Sequence, residues 1–190
     1  MEPIDFTRPL SDVKVARFGD SAVFECEISA DKARVQWLKD GVEIYPSAKY
    51  DITSVGRRHR LTVNRVDSRD GGDYAILVKG HRSAGRLSVE MPPTFTHEDL
   101  YAKPLVVRRG SPVSIEVPFC SAPQPRVTWR VDGRPLAESR RMHVDNVFNA
   151  TSLLIGRAER DDSGTYTVTL ENSFGTLTTN VKVIVKGRYC

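Results

Sequence analysis

Three cysteines in 190 residues are too few for the disulfide framework that staples small secreted domains. No apolar run approaches the ~20 residues needed to span a bilayer. The opening MEPIDFTRPL shows no basic-then-apolar leader pattern. The four histidines, His59, His81, His97 and His143, are scattered in polar, turn-like contexts, none with a companion at metal-ligand spacing. Neither a metal nor a cofactor is expected. Gly71-Gly72 is too short to cradle a phosphate, and neither Cys120 nor any serine has a readable base and orienting partner. Catalysis is therefore not expected. The formal net charge is only +4, and no basic run is interleaved with aromatics, so nucleic acid is not an expected partner either.

What the chain does contain is one device used twice. Arg160–Leu170 reads RDDSGTYTVTL: an Asp-x-Gly-x-Tyr corner running into an alternating strand. Asp162 and Gly164 supply turn chemistry. Tyr166, Val168 and Leu170 fall on one face and Thr165, Thr167 and Thr169 on the other. Asp70-Gly71-Gly72-Asp73-Tyr74 opens the same pattern earlier. Trp37 and Trp129, Asp40-Gly41 and Asp132-Gly133, Leu61 and Leu153, and Tyr74 and Tyr166 all stand 92 positions apart. A period near 90 residues fits a small independent domain rather than a solenoid unit. Two domains are therefore expected, over 1–91 and 92–190, each with seven to nine short strands. Pro92-Pro93 follows the first copy directly, so the linker is very short, and an end-to-end pair with little hinge freedom is expected.

Strand patterns support an all-β sandwich in each copy. Ala22, Phe24, Cys26 and Ile28 alternate with outward residues, and Tyr50-Asp51-Ile52 and Leu61-Thr62-Val63 form a pair joined by the polar 54–60. The final hairpin of the first copy is about four residues shorter than that of the second, and the difference is assigned to the Asn172-Ser173-Phe174-Gly175 turn. Expected core positions are Cys26, Trp37, Tyr74 and Ile76 in the first copy and Val117, Trp129, Tyr166 and Val168 in the second. A tyrosine at such a corner buries its ring and returns its hydroxyl to the backbone just upstream, as in immunoglobulin-like sandwiches. The cross-sheet cysteine position two residues after the corner holds Ile76, and in the second copy both positions are valines. No disulfide is expected, which points to a reducing, intracellular compartment. The competing signal is the sequon Asn149-Ala150-Thr151.

Cys26…Trp37-Leu38-Lys39-Asp40-Gly41…Asp70-x-Gly72-x-Tyr74 resembles an intermediate-set (I-set) immunoglobulin domain. Val117…Pro123-Gln124-Pro125-Arg126-Val127-Thr128-Trp129…Asp162-Ser163-Gly164-Thr165-Tyr166 resembles a second. Within that set, WLKDGVEI, DSGTYTVTLENSFG and the abutting MPPTF are similar to tandem domains of giant sarcomeric proteins: titin, twitchin and projectin, obscurin, and myosin-binding protein C. The resemblance implies a non-catalytic module of a cytoplasmic sarcomeric or cytoskeletal scaffold, spacing and anchoring partners along a filament and bearing load. Implied partners are the myosin filament, actin, or a Z-disc or M-band protein, met by a monomeric segment away from membranes. The alternatives are an extracellular adhesion or receptor ectodomain, favoured by Asn149, and a regulatory flank of a cytoskeletal kinase, although no kinase signature lies in this chain.

Candidate protein-binding residues are Arg57, Arg58 and Arg60, with Arg82 and Arg86 as possible members of the same cluster, and Phe148 and Phe174 as exposed anchors in loops. The bland alternatives are a solvated connection for the arginines and local packing for the phenylalanines. Strand addition at a sheet edge is a further candidate mode.

Overall fold

The computed structural model describes residues 3–97 and 99–187. The chain divides into two units, Met1–Glu90 and Met91–Cys190, and each folds around its own hydrophobic core. The first unit comprises β1 (Phe6–Arg8), β2 (Val13–Val15), β3 (Ala22–Ile28), β4 (Gln36–Lys39), β5 (Val42–Ile44), β6 (Tyr50–Val55), β7 (Arg58–Val63), β8 (Gly72–Val78) and β9 (His81–Val89). They form two sheets, β1-β3-β7-β6 and β2-β9-β8-β4-β5. The second unit repeats this with β10 (Met91–Phe95), β11 (Leu105–Arg108), β12 (Val113–Ala122), β13 (Arg126–Val131), β14 (Arg134–Pro135), β15 (Met142–Val147), β16 (Ala150–Ile155), β17 (Gly164–Asn172) and β18 (Gly175–Lys186). Its sheets are β10-β12-β16-β15 and β11-β18-β17-β13-β14. Glu90 alone lies between β9 and β10.

Alternation decides which face each strand buries. In β3, Ala22, Phe24, Cys26 and Ile28 are buried, and across the sandwich they meet Trp37, Tyr74, Ile76 and Val78. Phe24 and Tyr74 stack with ring centroids 4.9 Å apart. The leading segment of the first unit changes sheets between β1 and β2, pinned by Leu10 N–H donating to Ser83 Oγ and Arg86 N–H donating to Asp12 Oδ1. A Cβ on Gly85 would stand 2.6 Å from the Ser11 carbonyl oxygen. Only glycine admits that crossing.

Two sequence expectations change here. Residues 54–60 are not a polar connection: β6 and β7 run on to a two-residue turn at Gly56-Arg57, so Arg58, His59 and Arg60 belong to a strand. The final hairpins also differ in a way that the sequence did not suggest. Both close with two residues, Lys79-Gly80 in the first unit and Ser173-Phe174 in the second. The strands have lengthened and the turn has not.

Candidate protein-binding surfaces

Most chemistry-bearing side chains serve the scaffold. Asp40 Oδ1 accepts the Asp73 N–H and Asp132 Oδ1 accepts the Thr165 N–H, each at 2.9 Å. A Cβ on Gly72 or Gly164 would stand 2.7 or 2.6 Å from those carboxylates, so the corner glycine is the cradle for the turn aspartate. The corner tyrosines donate to the backbone four residues back, Tyr74 to the Asp70 carbonyl at 2.7 Å and Tyr166 to the Asp162 carbonyl at 2.6 Å. Burial raises both phenols, Tyr166 to about 12. The buried corner carboxylates are each met by a cation on the opposing turn: Lys49 on Asp70 and Arg141 on Asp162, both at 2.5 Å. Of the adjacent residues Arg140 and Arg141, Arg141 is therefore a structural arginine.

The tryptophans are core residues, Trp37 2% and Trp129 6% exposed. Trp129 Nε1 donates to Thr151 Oγ1 at 2.9 Å, and Thr151 donates to Asn146 Oδ1 at 2.6 Å. Thr151, the third residue of the sequon, thus has a core role that accounts for its presence. In the first unit, 92 positions earlier, His59 and Ser54 occupy the places of Thr151 and Asn146. His59 is 1% exposed, contrary to the polar context expected for it, with Nδ1 2.7 Å from Ser54 Oγ. Its Nε2 and the Trp37 Nε1 are buried without partners. Burial lowers the His59 pKa and so keeps the ring neutral. Cys26, fully buried opposite His59, has its thiol pushed up to about 11 by burial and by the charge of Glu25. That thiol is a packing group, not a nucleophile. Ile76, Val117 and Val168 are buried with the other expected core residues.

The arginine cluster does not form. Arg57, Arg58 and Arg60 border the β6–β7 hairpin, whereas Arg82 and Arg86 lie on β9 in the opposite sheet. The first three are also matched by acids from the neighbouring strand and loop: Arg57 with Asp31 at 3.5 Å, Arg58 with Glu27 at 3.9 Å and Arg60 with Glu25 at 3.2 Å. Such exposed pairs contribute little stability, about 0–1 kcal/mol each, but they neutralise the stripe.

Phe148 and Phe174 occupy two-residue turns of the second unit, Phe148 half-buried and Phe174 46% exposed. The two turns flank one end of β12. Phe119 N–H donates to the Asn149 carbonyl, and Asn172 Nδ2 donates to Ser121 Oγ at 2.9 Å and to the Met91 carbonyl at 2.6 Å. Asn172, read in the sequence only as part of the last turn, ties the first strand of its unit to the last hairpin.

A second basic group escaped the sequence because its members are far apart in the chain. The parallel pairing of β11 with β18 sets Arg108 opposite Lys186, and Arg109 follows Arg108 into the turn. Only a parallel register between those strands, which periodicity does not reveal, would have found them. Among the described residues no group of three or more His, Cys, Asp or Glu is placed to hold a metal, and no helix is long and apolar enough to cross a membrane.

Paired sheets, a buried tryptophan and a tyrosine corner, twice in tandem, define the class of immunoglobulin-like proteins. The immunoglobulin I-set domain matches residues 4–91 and 94–185, and the chain belongs to that family. Fast-type myosin-binding protein C of Gallus gallus is 32% identical over 201 residues, covering 95% of this chain and 18% of that protein. The chain thus spans under a fifth of that relative's length. The titin structure Titin-A168169 superposes with a TM-score of 0.72 at 26% identity, covering 96% of this chain and 98% of its own. The titin tandem A164-A165 shares the fold, with a TM-score of 0.71 at 24% identity and 97% coverage of both chains. The relatives are sarcomeric proteins.

Proposed function

We propose that this chain is a structural and protein-binding module of a sarcomeric scaffold, spacing and anchoring partners along a filament and carrying load. The observation that carries this reading is the similarity to fast-type myosin-binding protein C across both I-set domains, over 95% of the chain. Its partners are proteins of the muscle filament lattice, and its compartment is the cytoplasm of the muscle cell. No catalytic step is assigned to it.

The strand order supports the mechanical part. In each unit a strand near the start pairs in parallel with the last strand, through Val13↔Leu87 to Val15↔Val89 in the first and Leu105↔Val183 to Arg108↔Lys186 in the second. Tension on the chain pulls the start of one strand and the end of the other apart. In a parallel pair that motion shears every bond of the ladder together instead of opening bonds one at a time. Forced unfolding is governed by the unfolding barrier, so the ladder, more than total stability, sets the resistance.

Single-molecule pulling tests this. Strand N–H groups alternate in direction, so either Val106→Pro or Val107→Pro must remove a donor facing β18. One of the two variants is expected to lower the unfolding force of the second unit while leaving that of the first unchanged. Unaltered force in both would rule out a load-bearing ladder at β11.

A further inference from the structure

We infer that the corner formed by Arg108, Arg109 and Lys186 is a docking surface for an acidic protein segment, held through its carboxylates. The inference rests on the protein-binding reading above and names the chemistry of one partner. Arg108 lies opposite Lys186 in the parallel ladder, and the Arg109 N–H donates to the Lys186 carbonyl at 2.8 Å. With Gly187 the three residues line a surface basin of about 490 Å³. All three are exposed. Among the described residues none of them makes a salt bridge. A Cβ on Gly187 would stand 3.4 Å from Arg109 Cδ. That is ordinary contact distance, so the Arg109 stem lies alongside the backbone at Gly187.

The first unit supplies an internal control. Val15↔Val89 there corresponds to Val107↔Val185 here. The residues that follow, Ala16 and Glu90, take the places of Arg108 and Lys186, and Arg17 that of Arg109. Formally, Ala16, Arg17 and Glu90 sum to zero charge, whereas Arg108, Arg109 and Lys186 sum to three positive charges. Glu90 is further occupied by Lys14 at 2.6 Å. The shared framework folds without these cations, so packing does not explain them.

The two arginine groups of the molecule thus differ in kind. Arg57, Arg58 and Arg60 each face a carboxylate of their own domain, and the basin arginines face solvent. Guanidinium groups grip carboxylates through two parallel N–H bonds, and a compact set of like charges steers an oppositely charged partner on approach.

Fluorescence anisotropy with a labelled acidic peptide of about ten residues, carrying four glutamates and no basic side chain, tests this against the 190-residue chain. Saturable binding that weakens with added salt is expected. Arg108→Ala with Lys186→Glu installs the first unit's residues and should weaken binding at least about tenfold, with thermal unfolding unchanged. Arg57→Ala with Arg60→Glu makes the same change in net charge and should bind as the unaltered chain does. Should the first pair misfold, glutamine at all three positions takes its place. Equal losses in the two charge-matched variants would reduce the effect to net charge and overturn the site, as would no binding at all. Tighter binding of a single-stranded oligonucleotide of equal charge would overturn the choice of partner. Striped localisation in muscle cells without peptide binding would remove this surface and leave the sarcomeric reading standing.

Discussion

Replacing Trp129 with alanine is expected to cost the second unit about 3–5 kcal/mol. That is a large share of the roughly 5–15 kcal/mol that holds a small domain together. Two effects add. Removing the indole leaves a cavity between the sheets, where Trp129 is only 6% exposed and packs in the cluster of Val117, Val168 and Leu153. It also strips Thr151 of the donor it receives at 2.9 Å, although that hydroxyl keeps Asn146 as its own acceptor. Trp129→Phe separates the two, since the ring volume largely stays and the N–H goes; about 1–3 kcal/mol is expected for it. Denaturant unfolding should show the transition of the first unit unmoved, because that unit has its own core around Trp37. A cost below about 1 kcal/mol for Trp129→Ala would mean that the tryptophan does not organise the core.

Arg141→Ala should cost about 2–3 kcal/mol at neutral pH, and Arg141→Lys less than about 1 kcal/mol. Asp162 is 5% exposed and receives both guanidinium nitrogens, at 2.5 and 3.0 Å, and the Glu159 N–H at 2.7 Å. Lysine should serve because Lys49 already does the same work on Asp70, donating also to the Arg65 carbonyl as Arg141 donates to that of Arg157. The pH dependence follows from the opposing causes. Burial raises the Asp162 pKa, but the Arg141 hydrogen bonds, the Glu159 N–H and the Arg141 charge outweigh it and hold the carboxyl below its ordinary value. A depressed folded pKa contributes stability that is present above the unfolded value, about 3.9, and is lost as pH falls through the folded value. Without Arg141, only the Glu159 N–H is left to oppose burial, so the carboxyl loses most of its depression and, with it, the stability it contributes above the unfolded value. The gap between the two proteins should therefore be widest near pH 7 and narrow below about pH 4. A gap that stays constant across that range would show that the ion pair is not its source.

What could be read in the sequence was local or strictly periodic. The corner hydroxyl bond spans four residues, the Asp-Gly turns are two adjacent residues, and the inward sets of β3 and β17 follow the pleat. Register carried the remainder. Nothing near Arg58 in the chain shows that Glu27 faces it, because that pairing is set by the alignment of β3 with β7. The same alignment turns His59 inward beside Cys26, where a run of basic residues suggests solvent. The final hairpins kept their turn and changed strand length, which spacing alone cannot distinguish. The Arg108–Lys186 corner joins positions 78 apart through a parallel ladder, and parallel partners leave no hairpin signal between them.

Localisation of a tagged copy of residues 1–190 in striated muscle cells tests the central claim most directly, with Trp129→Ala as the control whose second domain is destabilised. The expected result is a periodic stripe that the control loses, its register assigning the partner to the thick filament, the Z-disc or the M-band. A diffuse signal from both proteins would contradict a sarcomeric binding module.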